Sequence, residues 1–160
     1  MTQVAVFMGS ISDKDTMQAC TAVLDQLGIE YKITVTSAHR TPERTKKLVQ
    51  ELETDGCQVF ICGAGLAAHL AGAVAAATQK PVLGVPLNAS SLGGMDALLA
   101  TVQMPPGFPV ATLAVDKVGA KNAGWLAAQI LALQDVALAD RLQTARQEMR
   151  DKVEQDALYI

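Results

Sequence analysis

The sequence predicts an α/β protein, a three-layer α/β/α sandwich built on a parallel sheet. Three observations point there. Strand-like runs and helical spacings alternate five times with short connections. The first run, Val4-Ala5-Val6-Phe7-Met8, is continuously apolar, as a strand covered on both faces requires. Half the residues are hydrophobic but only 4% are aromatic, so Ala, Val and Leu carry the burial, which suits helices packed closely on a sheet. Crossovers of this kind are right-handed, so helices cover both faces. A single domain over residues 1–160 accommodates the pattern, with its core in about 1–133.

The elements follow in order. After the first strand comes Gly9-Ser10-Ile11-Ser12-Asp13, and then Met17, Cys20, Leu24 and Leu27 recur at helical spacing, with Gly28 as the stop. Ile33-Thr34-Val35-Thr36 is β-branched and reads as the second strand. Its helix runs from Pro42 to about Asp55, with Thr41 as N-cap and Leu48, Val49 and Leu52 facing inward. Gln58 to Cys62 is the third strand, followed by Gly63-Ala64-Gly65 and an Ala-rich helix reaching Thr78, with His69 one turn inside it. Val82 to Val85 is a short fourth strand ending at Pro86, and Ser90 to Gly94 opens a helix through Leu98 and Leu99. Pro109 to Val115 is the fifth strand and Gly119 to Leu133 an apolar helix. Asp135 caps an additional, more polar helix over about 135–158, whose Val136, Leu138, Leu142, Met149 and Val153 need a surface. Either a neighbouring subunit or the sheet edge of the same chain can supply it.

Function concentrates in the loops that follow the strands, the edge where open α/β sheets bind ligands. His39 and Arg40 occupy the tight connection Ser37-Ala38-His39-Arg40-Thr41-Pro42. An imidazole titrating near neutrality there stands beside a guanidinium able to grip a phosphate or carboxylate with two prongs. Ser10, Ser12 and Asp13 sit where a helix begins, with free N–H groups and hydroxyls suited to phosphate and a carboxylate suited to ribose hydroxyls. One of the two latter residues also suits a plain N-cap role. Gly63-Ala64-Gly65-Leu66-Ala67-Ala68 formally matches the dinucleotide fingerprint as a tight turn, but it follows the third strand and no acidic residue stands about 20 positions on. It reads instead as a close backbone contact with a small, flat ligand. His69 follows; its alternative reading is a core residue.

Several classes are disfavoured. Net charge is -3 and no basic stripe is interleaved with aromatics, so nucleic acid is not an expected partner. The tract from Ala64 to Ala77 is too short to span a bilayer, and the start lacks a secretory pattern, which points to a cytoplasmic protein. Cys20, Cys57 and Cys62 lack metal-site spacing and read as reduced, mostly buried thiols; no metal site is expected.

With these loops in place the sequence resembles the class I PurE family, the N5-carboxyaminoimidazole ribonucleotide mutases of purine biosynthesis. The resemblance rests on Met8-Gly9-Ser10-x-Ser12-Asp13, Ser37-Ala38-His39-Arg40-Thr41-Pro42 and Gly63-Ala64-Gly65-x-Ala67-Ala68-His69-Leu70-x-Gly72. It continues through Pro81-Val82-x-Gly84-Val85-Pro86, Ser91-Leu92-x-Gly94-x-Asp96, Val102-Gln103-Met104-Pro105 and Gly119-Ala120-x-Asn122-Ala123. It implies a flavodoxin-like fold, a homo-octamer with active sites between subunits, and a ribonucleotide substrate. It further implies carboxylate transfer from the exocyclic nitrogen to ring carbon C4 without metal, ATP or organic cofactor. His39 falls on the catalytic position. Ser10, Ser12, Asp13, Ser37, Ala38 and Arg40 fall on substrate-binding positions, while Gly63, Ala64, Gly65, Ala67, His69 and Leu70 line the imidazole side. Leu66 departs from the pattern, since many members carry Gly there. The competing readings are direct carboxylation with free CO2 on the same fold, and a non-catalytic nucleotide-binding module.

Overall fold

The computed structural model describes residues 1–159. Five strands form one parallel sheet in the order β2-β1-β3-β4-β5, where β1 is Val4–Met8, β2 Tyr31–Val35, β3 Val59–Gly65, β4 Val82–Leu87 and β5 Ala111–Thr112. Helices α1 (Lys14–Gln26), α2 (Pro42–Thr54), α3 (Leu70–Ala75), α4 (Met95–Val102), α5 (Asp116–Ala132) and α6 (Val136–Ala157) complete the chain. The strand order reverses between β1 and β3, because the chain first steps to β2 and then crosses back over β1. That reversal leaves the crevice of a flavodoxin-like sheet at the carboxyl ends of β1 and β3.

Side-chain alternation along the central strands splits the core into two layers. Val4, Val6, Met8, Val59, Ile61, Leu83 and Val85 pack with α1, α5 and the first half of α6. Ala5, Phe7, Phe60 and Cys62 point the other way and meet residues of α2 and α3. Every residue of β1 is therefore buried, whereas β2, at the sheet edge, is half exposed. The scarcity of aromatics has its counterpart in α5. Ala120, Ala123, Ala127 and Ala128 are fully buried, and a Cβ on Gly124 would stand 2.9 Å from that of Val23, so α1 and α5 approach at backbone distance.

Several boundaries differ from the sequence expectation. The third strand does not stop at Cys62 but runs through Gly65, because Gly63, Ala64 and Gly65 pair with Val85, Pro86 and Leu87. The fourth strand likewise continues past Pro86. This is tolerated because β5 reaches only Leu83 and Gly84, leaving one side of β4 without a strand to bond at Pro86. The fifth strand shrinks to Ala111–Thr112, and α5 begins at Asp116 rather than Gly119. The Ala-rich helix is six residues, Leu70–Ala75, so His69 stands before it and not one turn inside. Thr41 holds the N-cap position of α2, but its hydroxyl is spent on Ser37 and makes no cap bond.

Asp135 does cap α6, accepting from the Leu138 N–H at 3.0 Å. Arg141 Nε donates to the Leu27 carbonyl at 2.9 Å, one of the acceptors left free at the end of α1. The first half of α6 thus packs on its own chain through Leu138, Leu142 and Ala145, while Met149 and Val153 further along are exposed. Cys20, Cys57 and Cys62 are free and buried, and burial pushes their thiols up, Cys20 to about 12 and Cys57 to about 11.

Candidate functional site

The ends of β1, β2 and β3, joined by Ala89 just beyond β4, converge on one cleft of about 600 Å³ at the reversal point of the sheet. Each wall is set by a local arrangement that the sequence dictates. After β1 the chain turns into a short 3-10 turn, Ile11–Asp13, and Ser10 caps it. The Ser10 N–H donates to Asp13 Oδ2 at 3.0 Å and Ser10 Oγ accepts from the Ser12 N–H at 3.4 Å, a reciprocal capping box. Ser10 is therefore the cap, in place of Ser12 or Asp13. The Ser12 hydroxyl donates to Ser10 Oγ at 3.0 Å. Burial pushes the Asp13 carboxyl above its ordinary 3.8, while the Ser10 N–H, the Ser12 hydroxyl and the Arg40 charge pull it back.

After β2 the loop from Ser37 to Thr41 is stapled by hydroxyls. Thr41 Oγ1 accepts from the Ser37 N–H at 3.0 Å, Ser37 Oγ accepts from the Arg40 N–H at 3.1 Å, and the buried hydroxyls of Thr36 and Thr45 lie 2.7 Å apart beneath them. His39 and Arg40 project from this fixed loop. Arg40 Nη2 donates to the Gly9 carbonyl at 2.9 Å, which locks the second loop to the first. The guanidinium keeps further N–H groups for a ligand, since it carries five in all.

After β3 the backbone bends at Leu66, whose φ is +56°. For a residue with a Cβ that conformation is disfavoured by about 1–2 kcal/mol. The bend swings Ala67 and His69 to the cleft, where His69 Nδ1 lies 2.7 Å from His39 Nε2, with ring centroids 4.8 Å apart and planes at 70°. One of these nitrogens must carry a hydrogen and the other be bare. Thirty positions of sequence separate the two rings.

The cleft thus gathers Ser10, Ser12, Asp13, Ala38, His39, Arg40, Ala64, Gly65, Ala67, His69 and Leu70. Two expected members stand back from it. Ser37 acts on the loop through Arg40 N–H, and Gly63 is buried inside β3, where a Cβ would meet Met17 Sδ at 2.4 Å. The Gly63–Gly65 segment is consequently strand and not the tight turn its fingerprint suggests. Both glycines sit where a Cβ would clash with a neighbour, and Gly65 also lines the cleft. Gly9, Leu66 and Ala89 also line the cleft. Ala89 follows β4, the strand next to β3, and only the strand order brings it here. Among the described residues no group of three or more His, Cys, Asp or Glu side chains is placed to hold a metal ion.

Gly65 is the tightest point of the wall. A Cβ there would lie 2.6 Å from the Ala89 Cβ and 3.0 Å from the Leu87 carbonyl oxygen. Gly65→Ala must part β3 from the segment after β4, and a displacement near 1 Å at this wall is expected to lower kcat/KM by about 10–100-fold, measured against an unchanged His39 ring environment by NMR.

Asp13 offers a test with a defined sign. Its folded carboxyl holds a proton at pH values where the unfolded chain has already lost it, so its ionisation weakens the fold as pH rises through that window. Asp13→Asn is therefore expected to be at least as stable as the parent near neutral pH in thermal unfolding. The same change removes a charged acceptor and should raise KM about tenfold. In the parent protein KM should climb on acidification at a higher pH than the titration of an ordinary aspartate, half protonated at 3.8, would produce.

Comparison with known proteins agrees with this geometry. A family model described as AIR carboxylase matches residues 3–152. An N5-carboxyaminoimidazole ribonucleotide mutase of Haemophilus influenzae is 52% identical over 151 residues, covering 94% of this chain and 92% of that protein. The protein of the same name from Escherichia coli K12 is 48% identical, covering 94% and 89%. The crystal structure of Treponema denticola PurE superposes with a TM-score of 0.91 at 29% identity, covering 100% of this chain and 99% of that one. With the cleft at the sheet's reversal point and a match over nearly its whole length, the chain belongs to the AIR carboxylase family.

Proposed function

We propose that this protein converts N5-carboxyaminoimidazole ribonucleotide into 4-carboxy-5-aminoimidazole ribonucleotide, a mutase step of purine biosynthesis in the cytoplasm. The observation that carries the reading is the His39–His69 contact of 2.7 Å at the mouth of a cleft whose other walls suit a ribonucleotide. Relatives that match over nearly the whole chain bear the mutase name.

The ribose phosphate binds at Arg40 and the hydroxyls and N–H groups of Ser10 and Ser12, with Asp13 accepting from the ribose. Anchored there, the heterocycle reaches His39. His39 donates a proton to the exocyclic nitrogen as the N–C bond of the carbamate breaks, releasing CO2 and the neutral amine. Carbon C4, enriched by that amine, then attacks the CO2. His39 removes the C4 proton and the ring regains aromaticity, so the proton lent in the first step is recovered in the second. His69, sharing one hydrogen with His39, orients its ring edge and offers a second place for that proton to wait. Small residues at Ala38, Ala64, Gly65 and Ala67 leave room for the CO2 beside the ring.

Assembly belongs to the same reading. Met95, Leu99 and Val102 form one exposed apolar stripe on α4, and Met149 and Val153 extend a second on α6. Such faces suit contacts with further copies of the chain, as an octamer with clefts at subunit boundaries would use them. Incubating the pure protein with the carbamate ribonucleotide tests the activity. The 4-carboxy isomer should form without ATP. Turnover only from aminoimidazole ribonucleotide plus added CO2 would instead assign direct carboxylation, and no turnover from either would leave a binding module.

A further inference from the structure

Leu66 is the one residue of the cleft whose backbone and side chain both look unfavourable in the free protein. Its φ of +56° is shared, among the described non-glycine residues, only by Asp116 at +61°. Asp116 is held in place by a visible bond, since its Oδ1 accepts from the Asn88 N–H at 2.8 Å. A leucine side chain has no such bond to make, and Leu66 is 56% exposed, so burial does not offset its conformation either. Its surroundings make the position informative. The other large apolar group on the cleft, Leu70, is 2% exposed and fixed in the core. Leu66 alone combines bulk, apolarity and exposure, at a rim otherwise made of small or polar side chains.

From this we infer that Leu66 is a specificity-determining cover: its side chain folds over the bound heterocycle, excludes water, and keeps the released CO2 beside C4. The inference rests on the mutase reading, in which the carbamate N–C bond breaks before the C4–C bond forms. Between those events the CO2 either recombines or escapes as free gas, leaving aminoimidazole ribonucleotide behind. An apolar lid over an uncharged fragment favours the first outcome, because burial of the leucine and retention of CO2 occur together. The strain at φ +56° holds the side chain at the rim, ready for contact with ligand, instead of letting it sink toward the sheet.

Two substitutions separate side chain from backbone. Leu66→Ala removes the cover and keeps a Cβ at positive φ, whereas Leu66→Gly removes both the cover and the strain. Initial products from the carbamate ribonucleotide are resolved by NMR for the parent and both variants, against an enzyme-free blank. In both variants the ratio of free aminoimidazole ribonucleotide to 4-carboxy product should rise at least about threefold, with KM raised about three- to tenfold. Thermal unfolding and binding of the 4-carboxy product show that each variant is folded. A purely structural role would alter the melting temperature and leave the product ratio where it was. An unchanged ratio in both variants overturns the inference, as does a rise confined to the glycine variant, which would locate the effect in the backbone. Failure of the parent itself to make any 4-carboxy product would be a different result, ending the mutase reading and this inference with it.

Discussion

Replacing His39 by Asn lowers mutase turnover by about 10²–10⁴-fold while the ribonucleotide still binds. Asparagine matches much of the imidazole's volume and polarity but does not exchange a proton near neutral pH. The loop that presents position 39 is fixed by Ser37, Thr41 and the Thr36–Thr45 hydroxyl pair through bonds that do not involve the ring. The variant should therefore fold as the parent does, and calorimetric binding of the 4-carboxy product should change by less than about tenfold. His69→Asn is the informative companion. It removes the 2.7 Å partner of His39, and a broadened or displaced pH–rate profile with retained turnover is expected if His69 orients the acid–base ring. Full activity in His39→Asn would remove that ring from the chemistry.

Arg40→Ala should have the opposite signature, weakening substrate binding by about 10²-fold or more with a smaller effect on turnover at saturation. Two consequences of the geometry are lost together. A guanidinium facing the ligand disappears, and so does the 2.9 Å bond that ties the second loop to the Gly9 carbonyl. A third consequence is electrostatic. Arg40 is one of the groups that pull the Asp13 carboxyl down, so without it that carboxyl rises further from 3.8 and the acid limb of substrate binding moves to higher pH. Arg40→Lys restores the charge but not the two-pronged fork, and should recover only part of the affinity. An unchanged dissociation constant in Arg40→Ala would reject the anchor.

Features governed by neighbouring residues were legible in the sequence. The apolar run of β1, the stop at Gly28, the opening of α2 at Pro42 and the cap at Asp135 each depend on a few adjacent positions, and each stands where expected. The loop residues at the sheet edge were legible too, because strand-to-helix connections of an α/β chain fall on one side. What was not legible depends on partners distant in the chain. Gly63 and Gly65 read as a turn, yet pairing with β4 extends the strand through them. Thr41 reads as a cap, yet its hydroxyl finds Ser37. Pro109 to Val115 reads as a full strand, but only Ala111 and Thr112 pair with β4 as strand, with one further bond from the Leu113 N–H to the Gly84 carbonyl. The contact between His39 and His69 could not be read at all, because the shortened α3 and the bend at Leu66 decide where His69 falls.

Every role assigned to the cleft depends on the heterocycle lying against His39 while the phosphate lies against Arg40. A crystal structure of the His39→Asn variant with the carbamate ribonucleotide bound tests that most directly. The expected result places the substituted side chain within about 3.5 Å of both the exocyclic nitrogen and C4. The phosphate should be bonded to Arg40 and to the turn that begins at Ser10. A heterocycle turned away from that side chain, with the phosphate outside the reach of Arg40, would contradict the assignment.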